Sequence, residues 1–175
     1  QAKKDKLDVS CSVAIHNLMM TDDQLDGFDT RYKLMPPLRE SKDQKVLLKG
    51  VKDGTIDMVT SDHQPMDIEH KKVELEHAAY GSIGLETAFG SLCTLYGAED
   101  AALLLNLGKE RFGIPQQSIQ IGEKADLTLF TADGKVVVSK ESILSSSKNS
   151  AYLGKELTGT VFGVINNNTF FQNPS

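Results

Sequence analysis

The sequence predicts an α/β fold that gives way to an all-β segment, and three observations carry that prediction. Leu7 to Ile15 (LDVSCSVAI) is rich in β-branched and small residues and reads as a buried strand. Ser41 to Lys52 places Val46, Leu47 and Val51 among charges, an amphipathic helix that Ser41 can cap, and Thr55 to Val59 follows as a second buried strand. Strand, helix, strand with short connections is the pattern of a parallel sheet or barrel. After Gly113 and Pro115 the composition shifts to short strands separated by glycine turns.

Between the first strand and the helix, Thr21 followed by Gln24 is a capping-box pattern that predicts a short helix. Phe28 to Leu38 reads as irregular, because Pro36 and Pro37 fit neither a helix interior nor a central strand. Gly54 ends the amphipathic helix, and Asp67 to Tyr80 is a polar excursion, read as a lid or a loop beside the site. A helix is expected from Gly84 to Tyr96 with Gly97 as its stop, and another from Glu99 to Phe112. The β segment is expected at Leu127–Phe130, Lys135–Val138 and Thr160–Ile165, with Asp133-Gly134 as a hairpin turn. The domain boundary is placed near residue 113.

Composition narrows the function classes. With 39% hydrophobic and 25% charged residues, the 175-residue chain has the makeup of a soluble globular protein. A net charge of -5 argues against a nucleic-acid surface, and no apolar run is long enough to span a bilayer, so neither nucleic acid nor membrane is expected as a partner. Cys11 and Cys93 form no metal-type spacing and read as buried reduced thiols, which points to the cytoplasm. The charged start, Lys3-Lys4-Asp5-Lys6, runs almost directly into a strand. That suggests a piece of a longer chain, although a processed or engineered terminus would look the same.

The most informative stretch is Thr60-Ser61-Asp62-His63-Gln64-Pro65, where a strand ends in a carboxylate. An Asp at the C-terminal mouth of a barrel strand is placed to bind a metal or move a proton. This block resembles the TDHAPH block of the dihydroorotases, zinc enzymes of the amidohydrolase superfamily. Ser12 to Leu18 (SVAIHNL) is similar to the family's EVTPHHL, Tyr32 to Arg39 (YKLMPPLR) to YKVNPPLR, and Gly84 to Ala88 (GLETA) is a family block as it stands. Gly122 to Leu127 resembles the GxxADL signature, and Asn149 to Phe162 fits the closing hairpin.

The resemblance implies the C-terminal portion of a (β/α)8 TIM-type barrel over residues 1–113, then part of a small β-sandwich over 114–175. Two barrel strands cannot close a barrel, so the resemblance also implies the missing N-terminal part of the barrel as a partner. It implies dihydroorotase chemistry in pyrimidine biosynthesis, the reversible hydrolysis of dihydroorotate to carbamoyl aspartate. Zinc would lower the pKa of bound water to about 7, and Asp62, as metal ligand and catalytic residue, would relay the proton to the leaving nitrogen. The other ligands would precede residue 1, and a structural zinc site needs about four N or S ligands. This chain alone is therefore expected to bind no zinc and to be inactive. His70 and His77 read as exposed lid residues.

The family pocket maps onto His16, Met35, Arg39 and Met66. His16 suits either a packing or hydrogen-bonding role or a catalytic one, and Asn17 stands where the family has a second His. Met35 replaces the Asn of NPPLR, and Met66 replaces the His that contacts the substrate carboxylate; methionine has no strong donor for a carboxylate. Arg39 is kept and suits either the substrate or a nearby acid. Two readings stay open: a cyclic amidohydrolase, or a non-catalytic dihydroorotase-like scaffold subunit for aspartate transcarbamoylase. A homo-oligomer is expected in either case.

Overall fold

The computed structural model describes residues 2–116 and 118–173. Strand β1 (Ser12–Ala14) runs directly into a short helix α1 (Ile15–Met19). Helix α2 (Ser41–Lys52) leads to strand β2 (Met58–Thr60), which pairs parallel with β1 in the register Ser12 to Met58 and Ala14 to Thr60. Helices α3 (Ala88–Tyr96), α4 (Ala98–Leu104) and α5 (Gly108–Arg111) follow. Strands β3 (Leu127–Val137), β4 (Glu156–Asn166) and β5 (Thr169–Gln172) close the chain as an antiparallel sheet in sequential order.

The strand–helix–strand prediction holds, with shorter strands than expected. Leu7 and Val9 are exposed, so the first strand is neither long nor wholly buried. The Asp57 carboxylate explains where the ladder stops. It accepts the Cys11 amide at 2.8 Å, while the Asp57 amide donates to the Cys11 carbonyl at 3.0 Å. The side chain thus takes the position a ladder carbonyl would hold. Cys11 is exposed rather than buried, whereas Cys93 is buried as expected. Strand β2 is half-buried.

Helix α2 has the predicted range, yet Glu40 is its cap residue and no side chain caps it, so Ser41 is the first helical residue. Leu47 and Val51, one turn apart, face Val13 and Leu18, but Val46 points to solvent. Thr21 heads a 3-10 turn (Asp22–Leu25) and bonds Asp23 instead of forming a capping box. A further 3-10 turn, Thr30–Tyr32, lies inside the predicted loop. The helix expected from Glu99 to Phe112 is broken between α4 and α5. Leu103, Leu105 and Leu107 are exposed there, so little burial opposes the break.

The Asp133-Gly134 hairpin does not form. Strand β3 passes through these residues as an irregularity between the Thr131–Thr160 and Lys135–Thr158 pairs, with Gly134 at φ 94°. The reversal falls instead at Asn167 and Asn168, whose φ of 49° and 61° suit a mirror-image hairpin turn between β4 and β5. The strands described beyond residue 113 form one three-stranded sheet.

One hydrophobic cluster ties the two halves together. Ile15, Ile83, Phe89 and Leu92 pack with Tyr152 and Leu157 from beyond residue 113. Helix α3 meets β4 closely because a Cβ at Gly90 would lie 3.1 Å from that of Leu157. The Thr94 hydroxyl accepts the Thr158 amide at 2.8 Å across the same junction. Phe89 and Phe130 pack as tilted rings with centroids 4.6 Å apart. Leu92 is fully buried at the centre. Its replacement by Ala is expected to cost about 2–5 kcal/mol in urea denaturation; a loss within error of zero would mean that this cluster does not hold the halves together.

Candidate functional site

The site is built where β2 ends. Thr60 is the last paired residue, and its hydroxyl donates to Asp62 Oδ1 at 3.0 Å. Asp62 itself adopts φ 43°, a left-handed conformation that Asp tolerates better than most residues. This turns the chain sharply at the mouth of the parallel pair and leaves Asp62 half-buried.

Three stretches distant in sequence meet at this turn. His63 bridges to Ser82, and the Gln64 amide donates to the Ser82 carbonyl at 2.9 Å. Asn149, only 5% exposed, supplies the third stretch. Its Nδ2 donates to the carbonyls of Gln64 (3.2 Å) and Gly81 (3.4 Å), and its Oδ1 accepts the Met66 amide at 3.0 Å. The Ser147 hydroxyl lies against Asn149 Oδ1 and donates to the Met66 carbonyl at 2.6 Å. The Ile83 amide donates to the Asn149 carbonyl at 3.0 Å, and the Ala151 amide to the Ser82 hydroxyl at 2.9 Å. Nearly every polar group of this buried junction is thereby satisfied, as burial demands. Gly84 must be glycine, because a Cβ there would collide with the Ser61 carbonyl and the His16 ring.

His16 lies beneath Asp62 and is buried, 3% exposed. Its Nδ1 is 3.2 Å from the Tyr152 hydroxyl, while Nε2 faces the Asp62 backbone without a bond of good geometry. Burial lowers the His16 pKa, outweighing the hydrogen-bonding and charge influence of Asp62. Burial also pushes the Tyr152 phenol up. His16 is thus held by Tyr152 at one ring nitrogen and is without a hydrogen-bond partner at the other among the described residues.

The other pocket residues spread apart. Met35 is half exposed, and Arg39 is exposed with its guanidinium 3.4 Å from Asp43, an ion pair on the helix surface. Asn17 donates to the Pro37 carbonyl at 2.8 Å, a structural tie within the loop. Met66 lines a groove of about 1000 Å³ together with Arg31, His70, Lys71, Lys140 and Ser147. Asp62, His16, Met35 and Arg39 do not line it. Among the described residues no cluster of three or more His, Cys, Asp or Glu side chains could hold a metal ion. Asp62 is therefore one carboxylate without companion ligands here, and the donor set does not fit zinc. Among the described residues no helix is long and apolar enough to cross a membrane.

The polar excursion is anchored by a buried cation. Lys71, 3% exposed, donates to the carbonyls of Ala79 (2.9 Å) and Lys33 (3.3 Å). Sequence reasoning overlooked Lys71, Ser82, Ser147 and Asn149. Only the Asn149 block carried a signal, as part of the closing hairpin.

No family model matches the chain. It is 38% identical over 165 residues to the dihydroorotase of Bacillus subtilis (strain 168), a match covering 90% of this chain and 39% of that protein. It is 39% identical over 166 residues to the dihydroorotase of Carboxydothermus hydrogenoformans, again 90% of this chain and 39% of the relative. The chain thus spans about two fifths of the length of these curated relatives. Among solved structures, the L-hydantoinase (dihydropyrimidinase) of Arthrobacter aurescens matches all of the chain and 42% of its own, with a TM-score of 0.87 at 25% identity. The inactive dihydroorotase-like domain of the Chaetomium thermophilum CAD-like multifunctional protein shares the fold, with a TM-score of 0.63 at 19% identity over 97% of this chain and 45% of that one.

Two outcomes test this geometry. Asn149→Ala removes the side-chain donor of the Gln64 and Gly81 carbonyls and leaves the Met66 amide to Ser147 alone, and should lower unfolding free energy by about 1–3 kcal/mol; a neutral result in denaturant titration would show that the junction holds without it. Burial, then the charge of Lys33, lowers the Lys71 pKa from 10.5 to about 8. Between those values the unfolded state binds the proton and the folded state does not, so stability attributable to Lys71 should rise as pH climbs from about 8 to 10.5. Lys71→Met should remove that rise; an unchanged pH profile of the melting temperature would contradict it.

Proposed function

We propose that this chain, a member of the dihydroorotase-like amidohydrolases, supplies the proton-relay carboxylate of a cyclic amidohydrolase acting on dihydroorotate in pyrimidine biosynthesis. The observation that carries the reading is Asp62. It stands at the mouth of the β1–β2 pair, in a turn fixed by Thr60 and by the Ser82 and Asn149 stretches. A general acid–base group must hold its proton at a defined place, and a pinned carboxylate does that better than a flexible one.

In this reading Asp62 takes the proton from the attacking water and returns it to the departing amide nitrogen as the ring opens. The reverse sequence closes the ring. The described residues offer no metal site. The remaining machinery of the whole protein, the other barrel strands and the substrate donors, would come from outside these residues. A cytoplasmic homo-oligomer belongs to the same proposal.

A second reading rests on Met35 and Met66, which offer no strong donor where a dihydroorotate carboxylate would need one. It makes the protein a non-catalytic scaffold for aspartate transcarbamoylase. Asp62→Asn in the full-length protein separates the two. The first reading expects kcat for dihydroorotate hydrolysis to fall about 10²–10⁴-fold with the fold intact. Parental turnover in the variant removes Asp62 from the mechanism. A parent that turns over no dihydroorotate yet co-purifies with aspartate transcarbamoylase supports the scaffold.

A further inference from the structure

We infer that His63 is a positioning residue for Asp62, acting as a neutral imidazole that clamps the opening turn of α3. Its Nδ1 accepts two backbone N–H groups, from Gly84 at 3.3 Å and from Leu85 at 3.2 Å. An imidazole nitrogen accepts only when it carries no proton, and it then has one in-plane lone pair. Two donors sharing that lone pair account for the length of both bonds. The acceptor role fixes the tautomer: the proton sits on Nε2.

The clamp matters because of what stands on either side. His63 follows Asp62 directly, so fixing the imidazole fixes the peptide that carries the left-handed φ of 43°. Gly84 and Leu85 open the turn that becomes α3, and Gly84 is buried against the Ser61 carbonyl and His16. The Thr87 hydroxyl completes the same turn by donating to the Gly84 carbonyl at 3.2 Å. The His63 ring is thus an acceptor placed from a neighbouring loop at two amides of the turn that leads into α3. Through it, the buried helix α3 sets the orientation of the Asp62 turn. The consequence for turnover rests on the proposed activity of Asp62; the tautomer and the clamp do not.

Nitrogen-15 NMR of the histidine side chains in the full-length protein reads the tautomer directly. His63 is expected to show an unprotonated Nδ1 and a protonated Nε2, and a protonated Nδ1 overturns the assignment. His63→Leu removes the acceptor, whereas His63→Asn puts a carboxamide oxygen near the place of Nδ1. For dihydroorotate hydrolysis, kcat should fall about 10–100-fold in His63→Leu with KM little changed, and should largely recover in His63→Asn. Parental kcat in His63→Leu, or equal damage in both variants, overturns the proposal. If the parent hydrolyses no dihydroorotate, the activity reading fails by itself. The Asp62 and Gly84 amide resonances then decide: a shift in His63→Leu that returns in His63→Asn supports the clamp, and unmoved resonances overturn it.

Discussion

The buried carboxamide of Asn149 is the constraint on which the rest of the site depends. It joins the loop after β2, the stretch before α3 and the stretch before β4 with two donated bonds and one accepted bond. An apolar residue in its place would leave the Gln64 and Gly81 carbonyls without this donor, at the cost of unpaired buried backbone groups. Among the described residues β1 and β2 share only three paired positions. Beyond them, side chains satisfy the irregular backbone around the site.

The same constraint clarifies the two methionines. The Met66 amide and carbonyl are held by Ser147 and Asn149, so the backbone position is set whatever side chain stands there. A donor at this position can therefore be exchanged for a thioether without loosening the Asp62 turn. Specificity and positioning are separable here. In the proposed function Met35 and Met66 would bear on what is bound, whereas Asn149, Ser82 and His63 would bear on whether the carboxylate is held. An intact frame around altered contacts is compatible with a cyclic amidohydrolase of changed preference and with a scaffold.

Much of the frame was legible in local sequence. The alternation of apolar and charged residues marked α2, and Gly97 at φ 86° ends α3 as its position implied. The TSDHQP and GLETA blocks marked the loop and the turn that meet at the site. What failed was chemistry that depends on context. Asp133-Gly134 carries hairpin residues, yet the strand runs on because its partner β4 continues opposite, and Asn167-Asn168 makes the reversal. The Asn149 junction was illegible for a different reason. Its bonds to Gln64, Met66 and Gly81 close across 68 to 85 residues, and no periodicity reports such a contact. Lys71 was hidden likewise, a charge within a polar stretch whose burial arises only when Lys33 and Ala79 fold over it.

Amide hydrogen exchange on the full-length protein tests the central claim most directly. If the junction holds the Asp62 turn as one unit, the amides of Gln64, Met66, Ile83 and Ala151 should exchange together, at the slow rate of the surrounding core. Rapid exchange at Gln64 and Met66 beside slow exchange at Ile83 and Ala151 would show that the turn opens independently, and would contradict the account.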